Sequence, residues 1–286
     1  MRYLKAPGVT RAFLTFLLIT CFVNVKSQKL PNVQPGSLRA PAEIKIDGKL
    51  TEWDNKFQAY NNATDIFYTI SNDADNLYLV VQAADPSIIK KILKRGITFS
   101  IDLSNKRQEA GPQITYPFLA PSDITIDFKN TPQIIPGSPF SVKEVADFME
   151  RNNKILTEKS KYLLTKGFKG MDTLTSISNE NGLKAAVQFD NKMIYTSELA
   201  ISLIKLGINQ DYAKEFAYHI KLNGVNPDDL SYTRAEPDNT QNNGAPLRLG
   251  GTAGTQNPNT NNETRRTLQL LTATTDFWGE YTLAKK

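Results

Sequence analysis

"DIFYTISNDADNLYLVVQAAD", residues 65–85, decides the fold. Two runs rich in β-formers, "DIFYTI" (65–70) and "NLYLVVQAAD" (76–85), flank the polar "SNDAD" (71–75). Turn-forming Asp and Asn between β-rich runs spell a hairpin. The same grammar continues in both directions. "EIKI" (43–46) alternates, and "GITFSIDL" (96–103) and "DITIDF" (123–128) follow the hairpin. "GLKAAVQFD" (182–190), "MIYTSELAISL" (193–203), "EFAYHIKLNGV" (215–225) and "DFWGEYTLA" (276–284) complete nine short runs. Many short strands separated by turn signals predict a mainly β chain, a two-sheet antiparallel β-sandwich.

Two segments depart from that pattern. From Ser141, "SVKE" reads as a capping box, and apolar residues then recur at helical spacing to Leu163, with Gly167 as terminator. One amphipathic helix is therefore expected within 141–167, its stripe packed on a sheet. Residues 235–264 are dominated by Asn, Thr, Gly, Gln and Pro and read as a flexible polar loop before the last strand. Residues 28–42, rich in Pro, Gly and polar side chains, read as an extended lead-in to a sandwich domain over 43–286.

The N-terminus reads as a secretory signal over 1–27. Arg2, Lys5 and Arg11 precede the uncharged run "AFLTFLLITCFV" (12–23), and Ser27 and Gln28 flank the expected cleavage point. The run is 12 residues long, short of the roughly 20 a spanning helix needs. The expected location is secreted or periplasmic, with no transmembrane span in the mature chain. The alternative is a lipoprotein anchored through Cys21, whose "LITC" resembles a lipobox. The leader holds four basic residues and no acids. The mature chain then keeps 30 basic against 29 acidic residues, and the formal charge falls from +5 to +1. No basic cluster interleaved with aromatics remains, so nucleic acid is not an expected partner. Cys21, the only cysteine, leaves with the leader, which removes disulfides, iron–sulfur clusters and Cys-ligated zinc.

The residues offer few routes to catalysis. His219 is the only histidine. In "EFAYHIKL" it shares a face with Ala217 and Lys221, opposite Phe216, Tyr218, Ile220 and Leu222, and is expected on the wetter side. Zinc sites want several His or Cys ligands, and no phosphate-binding glycine motif is present. "RLGGTAG" (248–254) follows no strand and opens no helix. A two-carboxylate hydrolase needs a selected acid pair, and no spacing selects one. "DADN" (73–76) begins like a calcium loop but lacks its glycine and its twelfth-position acid, so a turn is the better reading. Calcium stays open at Asp47 or Asp54.

"IDGKLTEWDN" (46–55) resembles the opening motif of the family 9 carbohydrate-binding modules and their DOMON-like relatives. "NDADNLYLVVQAADP" (72–86) is similar to the hairpin that follows in that family. "YTSELAISLIKLGI" (195–208), with Ser202 where the family has Pro, and "DFWGEYTL" (276–283) sit where its later segments fall. The resemblance implies a two-sheet sandwich that binds a glycan, without catalysis. It also implies that Trp53 is a core anchor rather than a sugar clamp. Tyr116, in the Pro-flanked "GPQITYPF" (111–118), and Trp278 are the aromatic candidates for stacking on sugar. Some relatives bind haem through Met, Lys or His, which makes a haem-binding electron carrier one alternative. Met149, Met171, Met193 and His219 are the residues available for it. An envelope scaffold using the helix or the polar loop is another.

Overall fold

The computed structural model describes residues 29–119, 141–180, 182–227 and 258–285. The leader, the Ser27–Gln28 junction, the "DITIDF" run and most of the polar loop lie outside the described residues.

Eleven described strands build two antiparallel sheets. The five-stranded sheet contains β1 (Ala59–Asn61), β2 (Ile66–Asn72), β3 (Asn76–Ala83), β8 (Leu183–Phe189) and β9 (Tyr195–Ser202), in the order β1-β2-β3-β9-β8. The six-stranded sheet contains β4 (Ile97–Asp102), β5 (Gln113–Tyr116), β6 (Tyr162–Lys166), β7 (Leu174–Ser176), β10 (Phe216–Leu222) and β11 (Thr275–Tyr281), in the order β11-β10-β4-β5-β6-β7. The predicted hairpin is β2–β3, paired Phe67↔Gln82 through Asn72↔Leu77. Asp73 closes its turn by accepting from the Asp75 and Asn76 amides at 2.7 Å each.

Alternation decides which side chains meet between the sheets. Ile66, Tyr68 and Ile70 of β2 and Leu77, Leu79 and Val81 of β3 face Phe99, Ile101, Tyr218 and Ile220 of the other sheet in one buried core. Tyr68 and Tyr218 join hydroxyls across that core at 2.9 Å. Burying apolar surface of this kind is the main driving force for such a fold, at about 25 cal/mol per Å².

Three described helices close the ends and edges. The first, α1 (Pro86–Arg95), is signalled at both ends. Asp85 caps the Ser87 and Ile88 amides, Pro86 occupies the first turn, and Gly96 ends it at φ 71°. Its buried Ile88, Ile89, Ile92 and Leu93 make the stripe. The second, α2 (Val142–Lys159), has the expected Ser141–Glu144 capping box. It packs on β8, and its Asn153 side chain bonds both ways with the Phe189 backbone, at 2.9 and 2.7 Å. The third, α3 (Pro258–Thr272), packs against α1.

Several expectations are corrected. "EIKI" is not a strand: Glu43 has φ 58°, and Ile44 and Ile46 instead lie on the outer face of the five-stranded sheet. The helix expected to reach 167 ends at Lys159, because Ser160 caps it and Leu163 turns into the core as part of β6. The polar stretch ending at 264 gives way at Pro258 to α3, whose packing against α1 overrides weak local propensity. The lead-in is bound to the sandwich. β1 is too short to cover β2, so the Gln34 side-chain amide pairs with the Ile70 N–H and C=O at 2.8 Å each. Leu38 and Ala40 pair with Asn72 beyond it.

Candidate functional site

The Asp47–Gly48 turn and Trp53 converge on one carboxylate. Glu198 of β9 lies on the outer face of the five-stranded sheet and is completely buried. It accepts hydrogen bonds from the Asp47 amide at 2.9 Å, the Gly48 amide at 2.8 Å and the Trp53 indole N–H at 2.8 Å. Burial pushes the Glu198 carboxyl above its ordinary value, against the lowering effect of those three donors. Trp53 is 6% exposed and packs edge-on to Tyr78, over Val80 and Ala200, with Ile44, Ile46, Leu50 and Phe57 around them. This small second core is separate from the one between the sheets.

Gly48 has φ 83°, and a Cβ there would lie 2.8 Å from the Gln188 nitrogen and the Val187 carbonyl carbon. Only glycine lets the turn sit this close to β8. Residues 40–57 thus cover part of the sheet and stop at a defined line.

Beyond that line runs one cross-strand row. Register aligns Tyr60 (β1) with Phe67 (β2), Phe67 with Gln82 (β3), Gln82 with Thr196 (β9), and Thr196 with Gln188 (β8). Residues paired in this way share a face. Tyr60, Phe67, Gln82 and Gln188 are half-buried. The Tyr60 and Phe67 rings lie 4.7 Å apart, and Phe57 adds a third ring 5.6 Å from Phe67. Asp65 accepts the Tyr60 hydroxyl, and this bond, with burial and the acids nearby, raises the Tyr60 phenol to about 12. Gln82 donates to the Thr196 hydroxyl at 3.3 Å, which orients its amide. The row is a strip of mutually tilted rings, at 38° and 45°, followed by the half-buried Gln82 and Gln188 on either side of the buried Thr196.

The outer face of the six-stranded sheet is different. His219 points away from the core with Ala217 and Lys221 as expected, but it is 1% exposed rather than wet. Trp278 of the edge strand stacks on it at 4.3 Å and 4°, and the loop after β4 closes over it. Nε2 of His219 bonds Asp276 at 2.9 Å. Nδ1 lies 3.1 Å from Glu109 without hydrogen-bond geometry. Glu109 also accepts from Lys221 at 2.8 Å, which holds its carboxyl below the ordinary value. Asp102 ties the loop down by accepting from the Ser104, Lys106 and Gln108 amides and the Ser104 hydroxyl.

The sequence candidates are therefore scattered. Tyr116 is 3% exposed within the inter-sheet core, so its ring offers no surface to a sugar. Trp278 is half-buried on the opposite sheet, with one face taken by His219. Trp53 lies in the second core. The Tyr60–Phe67 row has no contiguous sequence signature, because residues far apart in sequence meet only through register. Its one sequence signal is the alternation in "DIFYTI", which sets Phe67 on the face opposite Ile66 and Tyr68.

The same geometry keeps the metal and haem candidates apart. Among the described residues, no group of three or more His, Cys, Asp or Glu side chains is arranged to hold a metal ion. Asp73 is consumed by its turn and by the Tyr78 hydroxyl, while Asp47 and Asp54 pair with Lys49 and Lys56. Met149 and Met193 are buried in the core, Met171 packs against it, and both His219 nitrogens face carboxylates. These residues do not fit an axial-ligand site. Glu198, the carboxyl raised by burial, is sealed beneath the cover, so it cannot serve as the acid of a hydrolase. No helix of the described residues is long and apolar enough to cross a membrane.

No protein-family model matches the chain, and no curated protein matches it. Among solved structures, the chain is similar to a family 9 carbohydrate-binding module from Caldicellulosiruptor kristjanssonii, determined in complex with glucose. The identity is 10%, the match covers 87% of this chain and 96% of that one, and the TM-score is 0.36.

Proposed function

We propose that this chain is an exported, non-catalytic β-sandwich that binds carbohydrate on the outer face of its five-stranded sheet. The observation that carries the reading is the Tyr60–Phe67–Gln82–Thr196–Gln188 row. Sugar rings present apolar C–H faces edged by hydroxyls. Abutting aromatic rings match the faces, and amide and hydroxyl side chains match the edges. Tyr60 and Phe67 are the stacking pair in this reading. Tyr116 is enclosed, and Trp278 serves as the wall that holds His219.

The basic-then-apolar N-terminal stretch supports export. The amphipathic stripe of α2, with Val145, Met149 and Leu156 buried, is used inside the molecule, which argues against a partner-binding helix.

Isothermal titration of the chain without residues 1–27 against soluble polysaccharides tests the proposal. Retention of a glycan, lost in Tyr60→Ala and Phe67→Ala variants of unchanged circular dichroism, is the expected result. Glycan binding that survives both substitutions would move the site elsewhere.

A further inference from the structure

Resting on the carbohydrate reading, we infer that the ligand is an uncharged glycan chain lying extended across the strands, engaged at several consecutive sugar units. Three observations carry this.

The row itself contains no charged side chain: two aromatics, two amides and one hydroxyl. Its aromatic end is flanked by acid, since Asp65 holds the Tyr60 hydroxyl and the Asp85 charge acts on the same phenol. A carboxylated sugar stacked there would meet like charge and find no cation in the row to offset it.

The row is also long. It crosses all five strands, and four inter-strand steps of about 4.8 Å make it roughly 19 Å from Tyr60 to Gln188. A single terminal sugar would use only the Tyr60–Phe67 end and leave Gln188 out of reach.

The row is bounded along one side rather than enclosed at its ends. The Asp47–Gly48 turn rests on Val187 and Gln188 at one end of that side, and Phe57 leans on Phe67 at the other. A wall running parallel to the row directs a chain along it, whereas a pocket would enclose one chain end.

The test compares neutral oligosaccharides of glucose, xylose and mannose, two and six units long, with oligogalacturonates of the same lengths, by isothermal titration. At least one neutral hexasaccharide should bind tenfold or more tightly than its disaccharide, on the order expected when further polar contacts are added. The oligogalacturonates should bind more weakly than that hexasaccharide. Gln188→Ala should weaken the hexasaccharide about fivefold to tenfold, and by more than it weakens the disaccharide. Binding that depends on Phe67 but gains nothing with length, or that accepts oligogalacturonate equally, overturns the inference and leaves the carbohydrate reading standing. No binding by any member at millimolar concentration overturns both.

Discussion

Glu198 and Trp53, 145 positions apart, are joined by a 2.8 Å hydrogen bond from the indole N–H to a carboxylate with no solvent exposure. That contact, with the two amides of the Asp47–Gly48 turn, fastens the covering segment to the sheet and fixes where the cover ends. Glu198→Ala leaves two buried donors, the Gly48 amide and the Trp53 indole, and the part-buried Asp47 amide without an acceptor, and is predicted to lose about 2–3 kcal/mol of stability. Glu198→Gln should also destabilise, because its NH2 meets donors where a carboxylate met them. Urea unfolding followed by tryptophan fluorescence measures both. A loss under about 0.5 kcal/mol for the alanine variant would show that the contact does not fasten the cover.

The pH dependence follows from opposing shifts. Glu198 is raised above 4.5, so the folded chain binds its proton more tightly than the unfolded chain. Stability should therefore fall as pH rises from about 4.5 through the raised value. Asp73 and Asp102 behave in the opposite sense. Burial would raise both, but hydrogen bonds from Tyr78, Ser104 and turn amides bring them below 3.8. Their contribution is present above that value and is lost as pH drops through the lowered ones. Chemical denaturation at a series of pH values should show the falling limb above pH 4.5 flattened in Glu198→Gln. An unchanged limb would assign it to other groups.

Gly48→Ala brings a Cβ within 2.8 Å of the β8 backbone at a left-handed φ. The turn must lift, and the predicted loss is about 1–3 kcal/mol. Thermal unfolding by circular dichroism reads it, and a melting temperature equal to wild type would contradict the close approach.

Lys91 of α1 is fully buried, its ammonium bonded to the Thr275 hydroxyl at 3.0 Å, with no ion-pair partner among the described residues. Burial brings it down to about 8 from 10.5. The unfolded chain binds this proton more tightly, so its destabilising effect is full below pH 8 and fades as pH rises to 10.5. Lys91→Met is predicted to stabilise the chain by about 1–3 kcal/mol at pH 7, because a well-packed apolar side chain replaces a buried charge. A destabilised Lys91→Met would mean that the ammonium has a stronger role than its contact with Thr275.

How much of this was legible in the sequence differs by element. The β2–β3 hairpin, β8 to β11 and the α2 cap were readable, because alternation and capping are local. The α1 signals at Asp85, Pro86 and Gly96 were equally local but lay at the end of a strong strand run. Alternation assigned His219 to the correct face, yet it could not say that Trp278 and the β4–β5 loop cover that face. "EIKI" had the right burial rhythm without a partner strand. The candidate site was the least legible part. Tyr60, Phe67, Gln82 and Gln188 are ordinary residues in four strands until register sets them side by side.

The central claim is that the carbohydrate platform is this row. Nuclear magnetic resonance titration of the labelled chain with a neutral oligosaccharide that it retains tests it most directly. Chemical-shift changes are predicted to cluster on Tyr60, Phe67, Gln82 and Gln188 and to leave Trp278 and His219 unmoved. Changes centred on Trp278, with the row silent, would contradict it.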